Sequence, residues 1–155
     1  EILRDEPGID TIVVAVGGGG LYAGLAAAAS GRAKIVAVEP VTIPTLHAAL
    51  EAGRPVDVSV SGIAADSLGA RRVGDIAFSM ASKEPPVSVL VTDDAIVAAR
   101  AQLWGEYRIP AEYGAATALA ALTAGAYVPR QDERVAVIIC GANTDPSTLD
   151  ASPRH

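Results

Sequence analysis

The run Thr11-Ile12-Val13-Val14-Ala15-Val16 leads straight into four consecutive glycines, Gly17 to Gly20, and no other stretch restricts the fold as much. An apolar, β-branched run without alternation reads as a strand buried on both faces, the pattern of a parallel sheet. Leu21 to Ser30 is alanine-rich and closed by Gly31, which predicts a helix with a glycine C-cap. Ile35 to Val38 reads as a second buried strand, ending at Glu39-Pro40. Strand, glycine turn, helix and strand in this order make a βαβ unit.

The same logic places a helix over Pro44–Ala52, ended by Gly53, and a loop with an edge strand over Arg54–Gly69. Val73–Ser82 is a helix that cannot cross Lys83-Glu84-Pro85-Pro86. Ser88–Val91 is a strand, and Thr92-Asp93-Asp94 supplies an N-cap for a helix over Ala95–Tyr107. A helix over Ala115–Ala126 and a last buried strand, Val135–Ile139, complete the pattern. The predicted fold class is α/β, an open, mainly parallel sheet with helices on both faces.

Composition removes several classes of function. Twelve Lys+Arg against 18 Asp+Glu leave a net charge of −6, which argues against a nucleic-acid partner because phosphate neutralisation needs a basic face. Aromatic residues are only 4% of the chain, too few for base-stacking platforms. Glycine or charge breaks every apolar run well before the ~18 residues of a membrane span. The single cysteine, Cys140, cannot form an internal disulfide, in keeping with a reducing, cytoplasmic location.

The glycine loop joins a strand end to a helix start. Without Cβ atoms its backbone can approach an anion closely, and the dipole of the following helix adds positive charge at the same point. A bound phosphate is the favoured reading; the plain alternative is a tight turn. The loop also fits a dinucleotide fingerprint loosely, as Gly18-x-Gly20-x-x-Ala23 with Glu39 near the end of the next strand. Cys140-Gly141-Ala142-Asn143 follows the last strand, where open parallel sheets place ligands. A lone cysteine there is more often a small buried hydrophobe, and Asn143 a turn residue. Glu112, ahead of the last helix, either faces the site or favours the helix N-terminus. His47 and His155 show no ligand spacing.

Taken in order, Val16-Gly17-Gly18-Gly19-Gly20-Leu21, Val38-Glu39-Pro40, Glu112-Tyr113-Gly114-Ala115-Ala116 and Cys140-Gly141-Ala142-Asn143 resemble the C-terminal half of a serine/threonine dehydratase. These are pyridoxal-phosphate enzymes of the tryptophan synthase β-like group, fold type II. The resemblance implies that residues 1–149 are part of the large, phosphate-binding domain, with 150–155 as a tail. It implies that Gly17, Gly18, Gly19, Gly20 and the Leu21 N–H cradle the cofactor phosphate, and that Cys140 meets the pyridine nitrogen. A thiol cannot keep that nitrogen protonated as an aspartate would, which suits β-elimination of water better than transamination. Ser67, in the loop Ser61 to Gly69, is expected nearest the ring. Glu112 is expected close by, although the family's Glu-Pro-Ser-Gly-Ala is a residue shorter here. Glu39, the Ile43 carbonyl and the Thr45 hydroxyl fall at a cation site of the family. One carboxylate with neutral oxygens suits a monovalent cation such as potassium; the alternative is Glu39 as a strand-end surface charge. The racemase branch has an aspartate at the place of Thr45.

The family's Schiff-base lysine lies in its N-terminal half, and neither Lys34 nor Lys83 sits in such a motif, so no catalytic residue is assigned here. With Glu1 in place of an initiating methionine, the expectation is a fragment of an L-threonine/L-serine dehydratase, inactive alone. Its partners would be the N-terminal half of the same enzyme, a small amino-acid substrate and further copies of itself in a homo-oligomer. The alternatives are serine racemase or another elimination or replacement enzyme, a NAD-type nucleotide-binding module, and a non-catalytic interaction chain.

Overall fold

Every predicted strand except the edge strand within Arg54–Gly69 forms in the computed structural model, which describes residues 1–149; the expected tail at 150–155 lies outside the described residues. In chain order the elements are α1 (Ile2–Asp5), β1 (Thr11–Ala15), α2 (Gly20–Ala29), β2 (Lys34–Pro40), α3 (Thr45–Ala52), α4 (Ala65–Leu68), α5 (Asp75–Lys83), β3 (Val87–Val91), α6 (Asp93–Tyr107), α7 (Tyr113–Thr123) and β4 (Val135–Val137). A 3₁₀ turn follows at Pro146–Thr148. The four strands are parallel in the order β3-β2-β1-β4, with Thr11 opposite both Lys34 and Val135.

The unalternating sequence of β1 follows from its central place. Ile12, Val14 and Val16 pack with α2, α3 and α5 through Tyr22, Ala26, Leu46 and Ala77. Val13 and Ala15 face the opposite layer, meeting Ile96 and Leu103 of α6 and Ala115, Ala118 and Ala121 of α7. Each fully buried aliphatic side chain contributes about 1.5–3 kcal/mol. The alanines of α7 let that helix lie close to the sheet, and Ala116, Ala118, Ala120 and Ala121 are all 0% exposed. No helix among the described residues is long and apolar enough to cross a membrane.

Three expectations change. Arg54–Gly69 carries no strand: Val58 N–H finds the Arg71 carbonyl at 2.8 Å, but the segment joins no sheet and ends in the short helix α4. β4 is half-buried rather than buried on both faces, because it pairs with β1 alone. Ser30 itself takes the left-handed conformation that ends α2 (φ 47°), with Gly31 continuing it (φ 73°).

At the N-terminal ends of the strands, the Glu133 carboxylate gathers three elements. It accepts from Thr11 Oγ1 at the start of β1 (2.5 Å), from the Tyr127 hydroxyl and from the Arg130 N–H (3.0 Å), and it pairs with Lys34 Nζ at the start of β2 (3.0 Å). The side chain is 1% exposed. These donors, the Thr11 hydroxyl first, hold the Glu133 carboxyl well below the usual carboxylate range. A depressed folded-state value makes the network's contribution complete above the unfolded carboxylate value of about 4.3, with loss as pH falls through the lower folded value. Glu133→Gln is therefore expected to lower the melting temperature at pH 7, with the gap to wild type closing in acid. A gap that stays constant down to pH 3 in thermal melts would show that the charge of Glu133 does not hold the strand ends.

Candidate functional site

The glycine loop lies at the C-terminal end of β1, and its four glycines are required for different reasons. Gly19 caps α2 in the left-handed region (φ 87°), and a Cβ there would stand 2.5 Å from Ala77 Cβ of α5. At Gly17 a Cβ would approach the Leu68 carbonyl at 3.0 Å, so α4 packs directly on the loop. Gly18 and Gly20 are exposed: a Cβ on Gly18 meets nothing nearer than Ala70 Cβ at 3.7 Å, and one on Gly20 meets nothing within 4 Å. Packing within the chain therefore does not demand glycine at these two positions, whereas close approach of a ligand does. The first helical bond of α2 runs from Ala23 N–H to the Gly19 carbonyl (2.9 Å), which leaves the N–H groups of Gly20, Leu21 and Tyr22 without an intrahelical acceptor. Donors, helix dipole and an open cradle converge on one point, and an anionic phosphate fits there.

A cleft of about 230 Å³ opens at this point. Gly17, Gly18, Gly19, Gly20, Leu21, Ser67, Glu112 and Cys140 all line it, so every residue assigned to the cofactor from sequence meets in one place. Leu68, from the same loop as Ser67, lines it as well, and so do Ala15, Val16, Tyr22 and Gly114, for which the resemblance implies no role at the cofactor. Gly114 had a signal: a glycine in the first turn of a helix is intrinsically unfavourable, and a Cβ there would meet Ser67 Oγ at 2.5 Å. Asn143 is exposed and is not among the lining residues.

Cys140 and Glu112 are locked together across the mouth. Gly141 adopts φ 117°, its carbonyl accepts from Glu112 N–H (3.2 Å), and the Glu112 carboxylate occupies the space a Gly141 Cβ would need. Cys140 is exposed rather than a buried hydrophobe. Its surroundings still push the thiol above its usual pKa, chiefly by desolvation and further by the Glu112 charge. The group facing the cleft at neutral pH is therefore a neutral S–H.

Glu39 stands behind the loop, 0% exposed, which removes the strand-end surface charge as an explanation. Its Oε1 accepts from Thr45 Oγ1 and Leu46 N–H, both at 2.8 Å, and its Oε2 from His47 N–H at 2.8 Å. The carboxylate thus caps α3. Thr45 Oγ1 also lies 2.7 Å from the Gly17 carbonyl, which ties the cap to the glycine loop, and Ile43 O accepts from Thr45 N–H (3.1 Å). Burial raises the Glu39 pKa above the usual carboxylate value, opposed by these hydrogen bonds. Buried behind the loop and bonded to α3, Glu39 is out of reach of a ribose hydroxyl, which disfavours the dinucleotide alternative.

Residues 1–141 match the model of the pyridoxal-phosphate dependent enzyme family. The chain is 32% identical over 152 residues to the phenylserine dehydratase of Ralstonia pickettii, covering 96% of this chain and 47% of that protein. It is 36% identical over 151 residues to the biosynthetic L-threonine dehydratase of Escherichia coli, covering 94% of this chain and 29% of that one. Among solved structures, processed threonine deaminase isoform 2 of Solanum lycopersicum superposes with a TM-score of 0.86 at 32% identity, over 96% of this chain and 42% of that one. Maize serine racemase gives 0.85 at 28% identity, over 96% and 47%. The chain thus spans less than half the length of these relatives, with the fold of type II enzymes. It belongs to the pyridoxal-phosphate dependent enzymes.

Proposed function

We propose that the protein to which this chain contributes is a pyridoxal-phosphate dependent L-threonine/L-serine dehydratase, eliminating water from a small hydroxy amino acid to give a 2-oxo acid and ammonia. The observation that carries the reading is a phosphate cradle and a neutral thiol lining the same cleft. The names of the relatives, dehydratases and threonine deaminase, agree with it.

When bound, pyridoxal phosphate supplies the electron sink that lets an amino acid lose its α-proton and then its β-hydroxyl. The chain's own residues do the rest of what this half can do. The N–H groups of Gly17 to Leu21 bind the phosphate and fix the register of the ring. Cys140 meets the ring nitrogen as a neutral group, so no anion holds a proton there. Glu112 keeps the Cys140–Gly141 turn in place and adds negative potential beside it, while Ser67, packed against Gly114, lines the cleft next to them. The nucleophile for the cofactor comes from sequence outside these residues, in the N-terminal half of the same enzyme. Glu39, the Ile43 carbonyl and Thr45 are the proposed holders of a monovalent cation such as potassium. Three protein donors already satisfy that carboxylate, so a cation adds to the local fold rather than founding it. A homo-oligomer in the cytoplasm completes the proposal.

The test uses the full protein with L-threonine and L-serine, following 2-oxo acid formation with and without pyridoxal phosphate. No product from either substrate overturns the reading. In the same assay Cys140→Asp is expected to slow elimination at least about tenfold and to shift the cofactor absorbance, because it puts a second carboxylate beside Glu112 and an anion at the ring. Cys140→Ser is expected to keep both near wild type. An unchanged rate and spectrum in Cys140→Asp would remove Cys140 from the ring nitrogen.

A further inference from the structure

We propose that Arg100 is a positioning residue of the cleft, fixing the two segments that present Glu112 and Cys140; the proposal rests on the dehydratase reading for the identity of the ligand alone. Arg100 belongs to α6, does not line the cleft and is 5% exposed. Its Nε donates to the Ala111 carbonyl at 2.8 Å, one residue before Glu112. Its Nη2 donates to Thr144 Oγ1 at 2.5 Å and Thr148 Oγ1 at 2.7 Å, and Nη1 donates to the Thr148 carbonyl at 3.3 Å. The guanidinium also lies over the Tyr113 ring, 4.5 Å from its centroid. One planar group therefore holds the chain on either side of Glu112 and, a few residues on, the segment that leaves Cys140.

Between these anchors the two segments touch. Glu112 N–H donates to the Gly141 carbonyl, and the Glu112 carboxylate covers Gly141. Arg100 grips from behind, and Glu112 and Cys140 face the cleft. Arginine suits the task because its five donors sit in one rigid plane and it cannot shed its charge. Among the described residues its acceptors are all neutral oxygens, an expensive way to bury a cation if stability alone were served. What the arrangement adds is one rigid group that ties both segments to α6, beside the Ile109 N–H bond to the Leu103 carbonyl (3.0 Å) that holds the first of them.

The experiment compares the full protein with its Arg100→Met and Arg100→Lys variants, well below the melting temperature of each. One readout is the dissociation constant of pyridoxal phosphate from the apo-protein; the other is the rate at which a thiol reagent modifies Cys140, followed on its peptide by mass spectrometry. Both variants are expected to bind pyridoxal phosphate roughly tenfold more weakly, the scale of one hydrogen bond to a charged group. Cys140 is expected to react about fivefold faster, as a segment freed to open locally. Lysine does not rescue, since a single ammonium cannot span Ala111 and Thr144. If the Arg100 variants do not fold, Thr144→Val removes one acceptor instead and moves the Cys140 rate in the same direction. Variants that melt earlier but keep the wild-type affinity and Cys140 rate overturn the proposal and leave Arg100 a stabilising residue only. If the wild-type protein binds no pyridoxal phosphate, the dehydratase reading fails, and the Cys140 rate by itself decides the role of Arg100.

Discussion

Gly20→Ala is expected to make the protein more stable and to cost it most of its affinity for pyridoxal phosphate. Gly20 opens α2 with helical geometry, and an added Cβ meets nothing within 4 Å, so alanine fits and gains up to about 1 kcal/mol of helix propensity. The Cβ of a helical residue tilts toward the helix N-terminus, which here is the phosphate cradle. A methyl group there holds a phosphate away from the N–H groups of the first turn. Losing two such charge-assisted bonds weakens binding on the order of 100-fold. Gly19→Ala behaves in the opposite way for stability: φ 87° is strained for alanine by about 1–2 kcal/mol, and the 2.5 Å approach to Ala77 adds overpacking against α5. Thermal melts of the two apo-variants and titration with pyridoxal phosphate separate these effects. A Gly20→Ala protein with wild-type affinity would reduce the loop to a turn and remove the phosphate site.

The contrast between these two glycines was not visible in the sequence, although the loop itself was. A strand apolar at every position can be satisfied only by layers on both faces, so β1 and the βαβ unit were legible from Thr11 to Val38. The alternation of Val56, Val58 and Val60 also looks like a strand, but local pattern cannot supply an edge to pair with, and this segment joins no sheet. The burial of Glu39 and Arg100 was hidden for a related reason. A carboxylate at a strand end and an arginine in a helix are usually solvated. Here neighbouring elements bury them: the first turn of α3 covers Glu39, and Thr144 and Thr148 close over Arg100. The cleft was readable because its residues sit at strand ends and helix starts, positions that local sequence marks. The supports behind it were not, because each depends on how one element folds back on another: α3 on the end of β2 at Glu39, and Thr144 and Thr148 on α6 at Arg100.

Glu39→Ala is expected to be the most destabilising of these substitutions, by about 3 kcal/mol. The change strips the acceptor from Leu46 N–H and His47 N–H at once, while the Thr45 hydroxyl keeps the Gly17 carbonyl, and an unpaired buried donor costs about 1–3 kcal/mol. Its charge also complements the positive end of α3. Against this stands the desolvation that raises the Glu39 pKa, a cost the variant escapes, and the sign of that cost can be read in pH. With a folded value above the unfolded one, the native state holds the extra proton between the two, so wild-type stability falls as pH rises through that window. Alanine does not titrate, and the penalty of Glu39→Ala should therefore shrink as pH climbs from about 4.3 toward neutrality. Chemical denaturation at pH 4, 5.5 and 7, with and without potassium, measures this directly. A penalty that grows with pH would mean that the hydrogen bonds of the α3 cap, and not burial, set the protonation of Glu39. A penalty that also deepens when potassium is present would give the carboxylate a cation to hold, since the wild type alone would gain from binding it. In either case the Thr45 hydroxyl, freed from Glu39, is left to the Gly17 carbonyl, so the loss of the cap reaches the phosphate loop through one side chain.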